Sequence, residues 1–128
     1  MALVEHPANA ISEKVIGAAI EVHRCLGPGL LESSYHACLR RELELRGIGY
    51  ASELTLPLEY KGEEVARGYR IDFLIENLLI VETKAVASLL PVHTAQLLTY
   101  MRLMNITAGL LLNFNVTRLS QGIRRRLL

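Results

Sequence analysis

Two carboxylates and an ammonium group stand close together in otherwise apolar, strand-like sequence: Asp72, Glu82 and Lys84. The surrounding residues read Tyr69-Arg70-Ile71-Asp72-Phe73-Leu74-Ile75, Glu76-Asn77-Leu78 and Leu79-Ile80-Val81-Glu82-Thr83-Lys84, which predicts two short strands joined by a tight loop. With the loop centred on Asn77, Ile75 faces Leu79, Phe73 faces Val81, and Asp72 meets Glu82 head-on. Like charges directly opposite on a sheet repel, so this pairing costs stability unless a cation sits between the acids or one of them keeps its proton. Side chains alternate with period two, so Lys84 projects on the same face as Glu82. Hard oxygen ligands of this kind hold Mg²⁺, an ion that keeps several waters and also takes phosphate oxygens. A bound ion can acidify water and offset charge on the phosphate, while a nearby lysine orients the attacking water or assists its deprotonation. The three residues therefore suit metal-assisted hydrolysis of a phosphodiester. The same spacing also suits an ordinary ion pair between Lys84 and one acid at a strand end.

The elements that must position this cluster follow from periodicity. Ile11, Val15, Ala18, Ala19, Val22 and Leu26 have helical spacing, and Gly27-Pro28-Gly29 ends that helix. A second helix is expected from about Leu30 to Arg46, stopped by Gly47. Leu54, Leu56, Leu58 and Tyr60 alternate as in a half-buried strand, and Lys61-Gly62 turns the chain into another from Glu63 to Tyr69. The acidic hairpin follows, then a helix opened by Pro91 and running to about Met104, a buried strand over Thr107 to Phe114, and a short helix after Thr117 leading into a tail.

Further polar residues fall at telling places in this frame. Glu32 lies three residues after Gly29, where a glutamate caps a helix start and complements its dipole. Tyr35 shares its face, and Gln96 and Tyr100, four apart on the third helix, share another. Taken alone, Tyr100 reads as a core aromatic whose hydroxyl finds a partner at the surface. His23 and His93 are candidates for phosphate contact or proton carriage, and equally for structural roles.

In this order the motifs resemble the PD-(D/E)xK nuclease superfamily, with Asp72 as the first acid and Glu82-Thr83-Lys84 as the E-x-K element. Gly29-Leu30-Leu31-Glu32-Ser33-Ser34-Tyr35 fits the G-x-x-E-x-x-Y signature of a small family within it, the GxxExxY proteins. The likeness runs from about Ile11 to Arg126 and takes in Val22-His23-Arg24, Gly27-Pro28-Gly29, Tyr60-Lys61-Gly62, Gln96-Leu97-Leu98-Thr99-Tyr100 and Leu111-Leu112-Asn113-Phe114. The first acid follows Ile71 rather than the proline of the superfamily's name, which leaves the metal chemistry untouched.

The resemblance implies an α/β fold of the restriction-endonuclease-like type, a central mixed sheet flanked by helices, formed as one domain over residues 1–128. It implies Mg²⁺, with Mn²⁺ as a substitute, held by Asp72, Glu82 and the Thr83 carbonyl, with Glu32 assisting directly or through water. Lys84 would position or activate water, and Gln96 and Tyr100 would organise the substrate. That substrate would be nucleic acid, DNA ahead of RNA, and a homodimer with paired sites would suit two-fold DNA. A module that binds nucleic acid or protein without turnover is the rival reading, since a fold by itself does not establish activity. A hydrolase of small phosphorylated molecules is a third.

Composition bounds these readings. A chain of 128 residues buries roughly two-thirds of its unfolded surface, enough for a core without staples. Hydrophobic content of 51% and a mean hydropathy of +0.26 leave surplus apolar surface, which favours self-association. No run of about 18 apolar residues marks a membrane span, and the first ten residues lack the pattern of a secretory signal, so a cytoplasmic protein is expected. A net charge of +1 means that any nucleic-acid footprint must be local. The candidates are Arg40, Arg41 and Arg46 on the second helix, Arg67 and Arg70 near the first acid, and Arg124-Arg125-Arg126, or else these are solvated helix faces. His23-Arg24-Cys25 and His36-Ala37-Cys38 superficially suggest zinc, but residues two apart on a helix point about 200° apart and cannot chelate one ion together. The two cysteines are read as reduced thiols packed in helices.

Overall fold

The computed structural model describes residues 5–128. Helix α1 (Asn9–Leu26) and helix α2 (Glu32–Leu45) come first, followed by strands β1 (Tyr50–Tyr60), β2 (Glu63–Ile75) and β3 (Leu79–Lys84). Helix α3 (Pro91–Met104) then crosses over to strand β4 (Ala108–Asn113), and a 3-10 turn (Leu119–Gly122) leads into β5 (Ile123–Leu127). The five strands form one sheet in the order β1-β2-β3-β4-β5. All neighbours are antiparallel except β3 and β4, which run parallel because α3 carries the chain back between them.

Both sheet faces are covered, which is why β3 and β4 read as nearly continuous apolar runs. Phe73, Ile75, Leu79, Val81, Ala108, Leu110 and Leu112 pack with α1 and α2 on one face. Leu74, Ile80 and Leu111 pack with Leu97, Tyr100 and Met101 of α3 on the other. Glu82 and Lys84 share the parity of Ile80 and so point towards α3. Gly109 lets that helix approach, since a Cβ there would stand 2.7 Å from Met101 Sδ and 2.9 Å from Leu97 Cδ1.

The acidic hairpin forms in the expected register, with Phe73 opposite Val81 and Ile75 opposite Leu79. Its two central residues, Glu76 and Asn77, have φ of 52° and 56°, the positive values that a tight type I′ hairpin requires. The ladder between β2 and β3 stops at Phe73 and Val81, one pair short of the acids. Here β2 rolls: Ile71 packs on the α3 side although Phe73, two residues on, packs on the other. From this fork β1 and β2 continue as a two-stranded arm to Tyr60 and Glu63. The pairing is irregular between Leu56 and Leu58, where Pro57 has no N–H to give the ladder.

Several expectations need correction. Helix α2 begins at Glu32 rather than Leu30 and ends at Leu45, with Arg46 as its cap. The expected strand from Glu63 and the first hairpin strand are one strand of 13 residues. The arginine-rich end is neither tail nor helix face: Arg124, Arg125 and Arg126 lie on β5, opposite Leu111, Leu110 and Gly109. Cys25 is exposed at the end of α1 rather than packed, while Cys38 is half-buried.

Candidate active site

The fork in the sheet creates the site. Where the backbone ladder lapses, side chains replace it. The Asp72 N–H donates to Glu82 Oε1 at 3.1 Å. In return, the Thr83 N–H and hydroxyl both donate to Asp72 Oδ2, at 2.8 and 2.9 Å. Each acid is thus anchored through one oxygen by the opposite strand, and the second oxygen of each has no protein donor among the described residues. The acids meet as the spacing predicted, but they interlock rather than simply oppose one another.

Glu82 is 4% exposed, and burial, reinforced by the Asp72 carboxylate, pushes its pKa up to about 9. Without a cation the pair therefore keeps a proton at neutral pH. Lys84 forms no ion pair among the described residues; its Nζ donates to Gln96 Oε1 at 3.2 Å. Gln96 Nε2 in turn donates to the Tyr100 hydroxyl at 3.0 Å. Burial, and then the Glu82 carboxylate, raise the Tyr100 pKa, so the phenol stays protonated. The predicted shared face of α3 thus serves to hold the lysine.

A cavity of about 480 Å³ brings Glu32, Asp72, Glu82, Lys84, Gln96 and Tyr100 together, with Thr55, Gly68, Tyr69 and Arg70 completing its wall. A second cavity, of about 360 Å³, opens on the α2 side of the fork and is lined by Ser33, His36, Arg40, Ser52, Glu53 and Thr83 among others. Glu32, Arg70 and Asp72 line both. The family resemblance pointed to Glu32, and charge to Arg40 and Arg70, but Tyr69, Thr55, Ser52 and His36 carried no signal. They reach the site through the arm and α2, and His36, noticed only in its His-x-Cys pattern, stacks on Phe73 with ring centroids 4.4 Å apart.

The physical basis of the Gly-x-x-Glu-x-x-Tyr spacing is visible here. Gly29 takes φ of 100°, a value that side-chain-bearing residues rarely adopt. Tyr35 is fully buried, stacks on Phe114 with ring centroids 4.7 Å apart, donates its hydroxyl to Gly27 O at 2.6 Å and accepts the Leu30 N–H at 3.1 Å. That clamp sets the entry to α2, so Glu32, its first residue, lines the cavity. Glu32 makes no capping bond, and Tyr35 holds the loop rather than lining either cavity.

Other residues hold the frame. Asn113 Oδ1 accepts the Val86 N–H and its Nδ2 donates to Val86 O, both at 3.0 Å, pinning the chain just beyond Lys84. His23 Nε2 is 2.8 Å from Val116 O, and His93 Nδ1 accepts the Leu90 N–H at 2.9 Å at the start of α3. Both histidines bond backbone and line neither cavity. Arg40 and Arg41 pair with Glu44, Arg46 with Glu42, and Arg67 with Glu64. Arg70 is in no ion pair among the described residues and faces both cavities. Arg124, Arg125 and Arg126 line neither.

The donor set fits a hard divalent cation. It offers two carboxylates, each with an oxygen to spare, and burial and the Asp72 charge outweigh the nearby Lys84 ammonium at Glu82. Among the described residues no three His, Cys, Asp or Glu side chains converge into a ready-made cage.

A mixed five-stranded sheet flanked by three helices defines the restriction-endonuclease-like class of α/β proteins. Within that class, the chain belongs to the PD-(D/E)XK nuclease superfamily, whose family model matches residues 9–126. No curated protein and no solved structure matches it.

Proposed function

We propose that this protein is a Mg²⁺-dependent nuclease that hydrolyses phosphodiester bonds in nucleic acid, DNA in preference to RNA, and that it belongs to the GxxExxY proteins. The observation that carries the reading is the interlock of Asp72 and Glu82 at the fork, with Lys84 beside it in the same cavity. Membership of a nuclease superfamily supports the coarser part; the residues support the finer.

Asp72 and Glu82 would ligate the ion through their spare oxygens, joined by the Thr83 carbonyl, while the Thr83 N–H and hydroxyl fix the Asp72 carboxylate. When bound, Mg²⁺ supplies charge stabilisation at the phosphate and acidifies water. Mn²⁺ has the same oxygen preference and would substitute. Lys84, held by Gln96, positions the attacking water and assists its deprotonation. Glu32 acts from the outer side through water, and Gln96 and Tyr100 organise the substrate. Arg70 meets a neighbouring phosphate.

We read the chain as one domain acting as a homodimer in the cytoplasm. Exposed Leu30, Leu31, Leu90 and Val92 offer surface for self-association, and an exposed free Cys25 suits a reducing compartment. Among the described residues no helix is long and apolar enough to cross a membrane.

The deciding experiment incubates the protein with single- and double-stranded DNA and RNA in Mg²⁺, Mn²⁺ or EDTA, beside Asp72→Ala and Lys84→Ala. Metal-dependent cleavage that both substitutions abolish supports the enzyme. Tight binding without cleavage in any metal replaces it with a binding module. Turnover of nucleotides but not of polymers would make it a small-molecule hydrolase.

A further inference from the structure

A third hollow, of about 220 Å³, lies between the β1–β2 arm and α3, lined by Leu58, Tyr69, Gln96, Thr99, Tyr100 and Leu103. Unlike the acidic cavity it is mostly apolar. The two adjoin: Tyr69, Gln96 and Tyr100 wall both. Tyr69 is 44% exposed and Leu103 also 44%, so carbon surface lies open beside a strongly polar cleft.

We propose that this hollow seats one unpaired nucleobase of the strand whose phosphate faces Asp72 and Glu82, so that the enzyme's substrate is single-stranded nucleic acid. This deepens the nuclease reading above and rests on it for the placement of the phosphate. Size permits it, since an apolar cavity of about 150 Å³ already admits a benzene ring. Chemistry favours it, because bases stack on aromatic side chains regardless of sequence, and Tyr69 offers such a ring next to the cleft. Thr99 and Gln96 are the residues of the hollow's wall, beside its tyrosines, with polar groups to offer the edge of a base. Connectivity requires it to be near: a base is separated from its phosphate only by the sugar, and these compartments share three walls. A base inside a duplex is stacked on both faces and paired along its edge, so it reaches such a hollow only after leaving the helix.

The test reads binding in EDTA, where no cleavage intervenes, using a single-stranded DNA oligonucleotide carrying 2-aminopurine, whose fluorescence falls on stacking. Wild type is expected to quench it. Tyr69→Ala and Leu103→Glu, both at exposed positions, should lose the quenching and bind about tenfold more weakly, whereas Tyr69→Phe keeps both. An abasic strand of equal length should lose the same factor on wild type and nothing further on Tyr69→Ala. Ordinary binding and quenching by Tyr69→Ala and Leu103→Glu, or equal affinity for the abasic strand, overturns the base seat. Metal-dependent cleavage alongside that result leaves the nuclease reading standing. Tyr69-dependent quenching without cleavage in any metal keeps the seat and removes the nuclease.

Discussion

The Asp72 backbone N–H donates to Glu82 Oε1 at 3.1 Å, at the position where the next ladder bond between their strands would have been. That substitution of side chain for backbone opens the sheet, and both acids line the same cavity.

Without metal, Glu82 titrates at about 9 instead of its ordinary 4.5, through burial and then the charge of Asp72. Between those values the folded state binds one proton more than the unfolded chain. Stability of the metal-free protein must therefore fall as pH rises through that window, and Glu82→Gln must flatten the fall. Mg²⁺ competes with the same proton, so its affinity should rise with pH. Thermal melts in EDTA with parallel pH profiles for wild type and Glu82→Gln would contradict this.

Gln96 holds Lys84 and is held by Tyr100. Gln96→Ala frees the ammonium group and should lower kcat about ten- to a hundredfold. If the variant instead raised KM alone and left kcat unchanged, Gln96 would keep its substrate contact but have no part in holding Lys84 for catalysis.

Tyr35→Phe removes the hydroxyl that joins Gly27 O to the Leu30 N–H. Losing these two hydrogen bonds, each worth about 0.5–1.5 kcal/mol net, should be measurable by urea unfolding. Activity should fall further than stability explains, since the clamp directs Glu32 into the cavity. Equal activity at full folding would mean that Glu32 is dispensable.

Gly109→Ala puts a methyl group against Met101 and Leu97. Overpacking of this kind costs about 1–3 kcal/mol, and pushing α3 outwards carries Gln96 away from Lys84. Adding Met101→Ala should restore part of both the melting temperature and the activity. A double variant no better than Gly109→Ala would place the strain elsewhere.

Much of the frame was legible locally. Apolar spacing marked α1 and α2, Pro91 marked the start of α3, the run Thr107 to Phe114 marked β4, and a loop centred on Asn77 set the register of Phe73 with Val81. Strand β5 was not legible, because Ile123–Leu127 carries three consecutive arginines. An edge strand can be charged on both faces and so lose the alternation that identifies strands. The break at Asp72 was equally hidden, since period two predicts that Ile71 and Phe73 share a face and the roll of β2 separates them.

The sequence alone determined which residues are chemically able, because acid, lysine and turn signals are set by neighbours a few positions apart. Only the tertiary structure decided which of them share a cavity. Glu32 and Asp72 are brought together by the Tyr35 clamp and the fork, and Tyr69 joins Tyr100 through the arm. Such meetings depend on where β2 leaves β3 and on how closely α3 sits over Gly109. Those are outcomes of packing between distant segments, which no local spacing encodes.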